Sequence, residues 1–161
     1  TLSSSSAASD VYKRQPHNTF DLLYIQTLEG STIQTKCCFK TYEMILPFHI
    51  KKIVIYYLEQ FNKSYTQQLK LAKRLLSINK LVPIYISKDI ILFPIKHQRA
   101  PIQIYFNAQR IIGLTSSQNK TIIIFDNSVQ CIVDEPYILV YKKWQESILL
   151  AYLINKTTSF H

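Results

Sequence analysis

Glycine is nearly missing from this chain of 161 residues, with only Gly30 and Gly113 present. A loop that cradles phosphates with its backbone needs several glycines close together, so a Gly-rich nucleotide site is excluded. Cysteine is scarce too: Cys37, Cys38 and Cys131 are odd in number, form no CxxC pair, and have no ligand spacing to His49 or His97. A disulfide framework and a zinc site both lack support, and no cofactor is expected. Adjacent Cys37 and Cys38 on a strand would point to opposite faces, as free buried or half-buried thiols. No run approaches the roughly 18 apolar residues of a membrane span, and the opening residues hold no apolar signal-peptide core. A reducing cytoplasm without a membrane partner is the expected setting. Acidic residues are also few, 10 against 19 Lys and Arg, which leaves a formal charge of +9. Such an excess favours a polyanion, either nucleic acid or an anionic surface, over simple solubility charge.

The first fifteen residues, TLSSSSAASDVYKRQ, have no apolar periodicity and read as a disordered tail. Residues 5–15 resemble the in-frame translation of a transposase sequencing adaptor, so the expected native domain is 16–161, a single unit. Setting aside Asp10, Lys13 and Arg14 still leaves a charge of +8.

What remains reads as an α+β chain. Two β-leaning runs, 20–26 and 31–39, flank the turn Leu28-Glu29-Gly30 and predict an N-terminal hairpin. Pro47 suits the first turn of a helix, and Phe48, Ile50, Ile53, Val54, Tyr57, Leu58 and Phe61 recur at helical spacing over 47–61. A second helix is expected over 66–78, with Ser64 or Thr66 as its cap and Lys70, Lys73 and Arg74 outside. Short β-branched and aromatic runs follow at 83–87, 90–94, 102–106, 110–114, 121–125 and 129–133, and predict an antiparallel meander. Asp134 reads as the cap of a last helix with Pro136 in its first turn. That helix should run to about residue 155 and bury Ile138, Tyr141, Trp144, Ile148 and Tyr152, with Leu149 beside them.

No catalytic centre is visible. Asp89, Asp126 and Asp134 fall at turns or caps, and neither His49 nor His97 has a nucleophile or carboxylate at a recognisable spacing. A nuclease built on Asp89 or Asp126 has too degenerate a motif to carry weight. The expectation is a protein that is not an enzyme. The cations are more telling, because Lys63, Lys70, Lys73, Arg74 and Lys80 gather around the second helix, while Lys88, Lys96 and Arg99 gather in loops. Clustering of this kind suits phosphate contact with double-stranded DNA. Gln67 and Gln68 would suit a recognition helix in a helix-turn-helix arrangement. Arg99, in a loop between Pro94 and Pro101, would suit a narrow A·T-rich minor groove. Both geometries stay open at this point. Lys142 and Lys143 are expected to face solvent.

The stretch 62–114 resembles the competence transcription factor (ComK) family. The resemblance rests on the turn Asn62-Lys63-Ser64-Tyr65, the run Leu81-Val82-Pro83-Ile84-Tyr85-Ile86, the strand Ile91-Leu92-Phe93-Pro94, the basic loop from Lys96 to Pro101, and Ile104-Tyr105-Phe106. Residues 121–144, a strand pair followed by a helix carrying Trp144, are similar in layout. The resemblance implies an activator of DNA-uptake genes that binds paired A·T-rich boxes as a homo-oligomer, chiefly through the minor groove. It further implies Ser64 and its neighbours as contacts, and turnover through an adaptor and an ATP-dependent protease. Asn62, Gln67 and Gln68 replace the family's turn glycines and arginine. That departure motivates the alternative of a non-enzymatic protein interaction module.

Overall fold

The structure, a computed structural model, describes residues 21–158. The tail, its adaptor reading and Phe20 lie outside these residues. Among the described residues nine strands and three helices follow the expected order of strands, two helices, strands and a last helix, and the class is α+β. The elements are β1 (Leu22–Thr27), β2 (Thr35–Phe39), β3 (Glu43–Leu46), α1 (Ile50–Gln60), α2 (Tyr65–Leu76), β4 (Ile84–Ser87), β5 (Ile90–Pro94), β6 (Ile104–Asn107), β7 (Ile111–Ser117), β8 (Lys120–Phe125), β9 (Gln130–Val133) and α3 (Tyr137–Thr158).

The expected meander is not one sheet. Strand β1 pairs with β6, so the N-terminal strands and β4–β6 join into one six-stranded antiparallel sheet of order β3-β2-β1-β6-β5-β4. Strands β7–β9 form a separate three-stranded sheet. The large sheet is covered on both faces, and this is why β1, β5 and β6 read as continuous apolar runs rather than alternating ones. Under α1 lies one core, containing Leu22, Ile25, Cys37, Tyr57 and Leu92; the second holds Leu23, Cys38, Phe93, Phe106 and Phe125 with α2, α3 and the small sheet. Cys37 and Cys38 do face opposite cores. Burial pushes Cys37 up to about 12 and Cys131 up to about 11, so these free thiols stay protonated at neutral pH.

Several boundaries differ from the sequence reading for physical reasons. The hairpin loop is longer, 28–34, closed by the Leu28 amide donating to Gln34 O, and strand β2 begins at Thr35 rather than residue 31. Helix α1 starts after His49, whose Nδ1 accepts from the Lys51 amide, so Pro47 precedes the helix instead of opening it. Ser64 is the cap of α2. Asp134 does not cap α3; it pairs with Lys120 at 3.4 Å, and the Pro136 carbonyl accepts the first helical bond from Val140.

The largest correction concerns α3. Its buried face is Val140, Lys143, Ser147, Leu150, Ala151 and Ile154, while Ile138, Tyr141, Ile148, Leu149 and Tyr152 face outward. Both stripes have helical spacing. The inward one carries small Ser147 and Ala151, which let the helix approach β5 and α2 closely; the bulky stripe could not. Lys143, expected in solvent, is 5% exposed. Its ammonium donates to the Lys80 carbonyl at 2.9 Å and lies 2.8 Å from Glu146 Oε1, which is how a charge is tolerated there.

Candidate nucleic-acid interface

Helix α2 exists because Ser64 caps it and because Leu69, Leu71, Leu75 and Leu76 pack on the core around Ala72. Its stripe Tyr65, Leu69, Lys73, spaced by four, runs along a cleft of about 280 Å³. Across that cleft stands the loop between β5 and β6. Lys73 and Lys80 on one side, and Lys96 and His97 on the other, border the cleft, and no Asp or Glu lines it among the described residues. Part of each basic group of the sequence therefore borders one cleft.

Not every predicted contact stands alike. Lys70, Arg74, Lys80 and Arg99 are exposed and Lys73 is half-buried; none of the five takes part in an ion pair among the described residues. Lys70 and Arg74 lie one position round the helix from the cleft stripe. Lys96 is 2.8 Å from Glu135, which partly neutralises it. Lys63 is taken up internally: its Nζ donates to Ile86 O at 2.6 Å and sits 4.7 Å from the Tyr85 ring centre, and burial lowers its pKa. Lys88 projects from the β4–β5 turn, at the far end of that hairpin from the cleft residues Ile84 and Pro94. Ser64 has its oxygen committed to the α2 cap. The carboxylates behave as structural partners, with Asp126 bridging Arg110 at 3.2 Å and Lys40 at 3.5 Å. Among the described residues no group of three or more His, Cys, Asp or Glu is placed to hold a metal ion.

Sequence reasoning missed the residue that shapes the basic loop. Gln103 is 6% exposed, and its Nε2 donates to the carbonyls of His97, Gln98 and Ala100 at 2.7, 3.0 and 2.7 Å. Its backbone is tied to Thr27 in both directions. This amide folds the loop over itself and leaves Arg99 at the tip. A lone Gln before a strand gives no sequence signal for such a clamp. Gln103→Leu is expected to cost about 1–3 kcal/mol and to speed tryptic cleavage after Arg99 several-fold. Unchanged melting and unchanged cleavage would show that the loop holds itself.

A family model for the ComK protein matches residues 18–159. The chain belongs to the ComK family. Its role is therefore of the competence transcription factor kind, and the ComK match spans the cleft, both cores and α3 together. No curated protein and no solved structure matches the chain. Among the described residues, no helix is long and apolar enough to cross a membrane.

Proposed function

We propose that this ComK-family chain is a cytoplasmic, single-domain activator of DNA-uptake genes that binds A·T-rich promoter boxes in double-stranded DNA. Lys70, Lys73, Arg74 and Lys80 contact phosphates, and Arg99 at the loop tip enters the minor groove. The observation that carries this reading is that Lys73 and Lys80, both without an ion pair, face Lys96 and His97 of the β5–β6 loop across one cleft that no Asp or Glu lines among the described residues, with Arg99 exposed and unpaired in the same loop. A clustered cationic face is what phosphate neutralisation requires, and a narrow A·T-rich groove concentrates the potential that attracts arginine. The helix-turn-helix alternative has weaker support, because α1 and α2 bury their apolar faces in different cores rather than against each other. A gel-shift titration with A·T-rich and G·C-rich duplexes at several salt concentrations tests the proposal. Tighter A·T binding with a steep negative salt slope is expected; no preference and no slope would refute it.

The same reading includes self-association, and the outward stripe of α3 supports a second copy as its partner. Ile138 is 80% exposed and Tyr152 is 56% exposed, with Tyr141, Ile148 and Leu149 between them. These side chains, uncharged and continuous, leave several hundred Å² per chain, so two copies packed about a twofold axis would bury about 1,000 Å², enough for a specific interface. Ile148→Glu combined with Tyr152→Glu is expected to convert dimers to monomers in sedimentation equilibrium. A wild-type chain that is monomeric at tens of micromolar would rule this out.

A further inference from the structure

The cleft has an interior as well as a rim. Tyr65, Leu69 and Lys73 follow one another along α2 over roughly 12 Å, so chemistry changes along its length. At one end Tyr65 and Tyr105 both line the cleft. Tyr105 is only 8% exposed, and neither hydroxyl has a protein hydrogen-bond partner among the described residues, so both are available to solvent or to an occupant of the cleft. In the middle the walls are apolar: Leu69, Val82, Ile84 and Pro94. At the other end stand Lys73 and Lys80, with no Asp or Glu among the described residues that line the cleft.

The walls are fixed before anything binds. Gln103 clamps the loop side through three carbonyls. On the helix side Lys143 holds the Lys80 carbonyl, and beside it Leu81 adopts φ 50°, a left-handed backbone that a branched residue rarely takes. A preformed, mostly apolar cavity with a few convergent polar groups is the usual form of a small-molecule site. Its volume, about 280 Å³, admits roughly nine water-sized units at about 30 Å³ each.

We propose that this cleft binds an elongated amphiphilic anion: a carboxylate or phosphate head on Lys73 and Lys80, an apolar body of about eight carbons, and a hydrogen-bond acceptor meeting the Tyr65 and Tyr105 hydroxyls. Burial raises the pKa of both phenols, so they remain neutral donors at physiological pH. The inference does not rest on the DNA reading, although an occupant would cover two of the lysines assigned to phosphates and so couple to DNA binding.

Calorimetric titration of the full chain, with no DNA present, provides the test, using 8-hydroxyoctanoate, octyl phosphate and 1-octanol. At least one anion should bind at submillimolar concentration, with 1-octanol at least tenfold weaker; the tighter of the two anions identifies the head group. The double variant Lys73→Met, Lys80→Met should weaken the anion tenfold or more. Tyr105→Phe, which keeps the ring and its packing, should weaken 8-hydroxyoctanoate about fivefold. All variants are checked for an unchanged far-UV spectrum and melting temperature. The proposal falls if neither anion binds at several millimolar, if 1-octanol binds as tightly, or if the folded lysine variant binds as well as wild type.

Discussion

Asn107→Leu is expected to unfold most of the protein at 37 °C. Asn107 is fully buried at the end of β6 and uses its whole amide. Its Nδ2 donates to Leu22 O at 2.8 Å and Asp89 O at 3.0 Å, while its Oδ1 accepts from the amides of Ile91 at 3.1 Å and Gln109 at 3.2 Å. Those four groups belong to β1, the β4–β5 turn, β5 and the turn leading into β7. One side chain therefore joins the two halves of the large sheet to the start of the small one. Leucine has nearly the right shape but leaves four polar groups facing apolar surface, at about 1–3 kcal/mol each. The total, on the order of 5 kcal/mol or more, reaches the stability of an ordinary domain. Asn107→Asp separates polarity from shape. Its second oxygen would meet the carbonyls of Leu22 and Asp89, so the folded state favours the protonated acid and raises its pKa above the unfolded value of about 4. Stability from that proton is fully present below about pH 4 and is lost as pH rises through the raised value. Urea titrations should therefore show the aspartate variant gaining on the leucine variant as pH falls from 7 to 4. Equal midpoints for wild type and Asn107→Leu would show that water satisfies the four groups.

The order and class of the elements were legible because they depend on local pattern. Helical spacing in 50–60 and 65–76, and β-branched runs bounded by turn residues, report themselves wherever the chain goes. The Gln118-Asn119 turn, whose two residues take positive φ, joins two such runs, although the strands reach further into it than the runs 110–114 and 121–125, up to the pair Ser117 and Lys120. What the sequence concealed is how elements choose partners. Pairing of β1 with β6 spans about eighty residues and leaves no local trace. Helix α3 is apolar on two stripes, so periodicity reports a helix without saying which stripe is buried; small Ser147 and Ala151 decided it. Lys143 looked like a surface residue because its carboxylate, Glu146, and its carbonyl, on Lys80, become neighbours only after α3 docks. The candidate site shows the same division. Lys70, Lys73, Arg74, Lys80, Lys96 and Arg99 were readable as cations, but their distinct fates were not. Whether a lysine is free, paired with Glu135 or folded onto Ile86 O is set by contacts between distant segments.

That division decides which cations to test. Reversing Lys73, Arg74 and Arg99 to glutamate together is expected to weaken DNA binding by more than a thousandfold near physiological salt. None of the three side chains has an ion pair among the described residues, so the fold loses no partner when they change. Each phosphate contact contributes about 0.9 to the slope of log affinity against log salt, which is about fivefold in affinity per contact near 0.15 M. Neutral glutamines at the two phosphate contacts, Lys73 and Arg74, should thus cost about thirtyfold and flatten the slope by about 1.8; glutamates add repulsion, and removing Arg99 from the groove adds to the loss. The single variants then assign roles. Arg74→Gln should weaken A·T-rich and G·C-rich duplexes equally, as expected of a contact that positions the protein. Arg99→Gln should reduce the A·T preference itself, as expected of a side chain that reads the groove. Fluorescence anisotropy with both duplexes at three salt concentrations resolves these outcomes. If the triple reversal leaves affinity and slope unchanged, the cationic cleft is not a nucleic-acid surface, and the protein interaction module becomes the better account of this ComK relative.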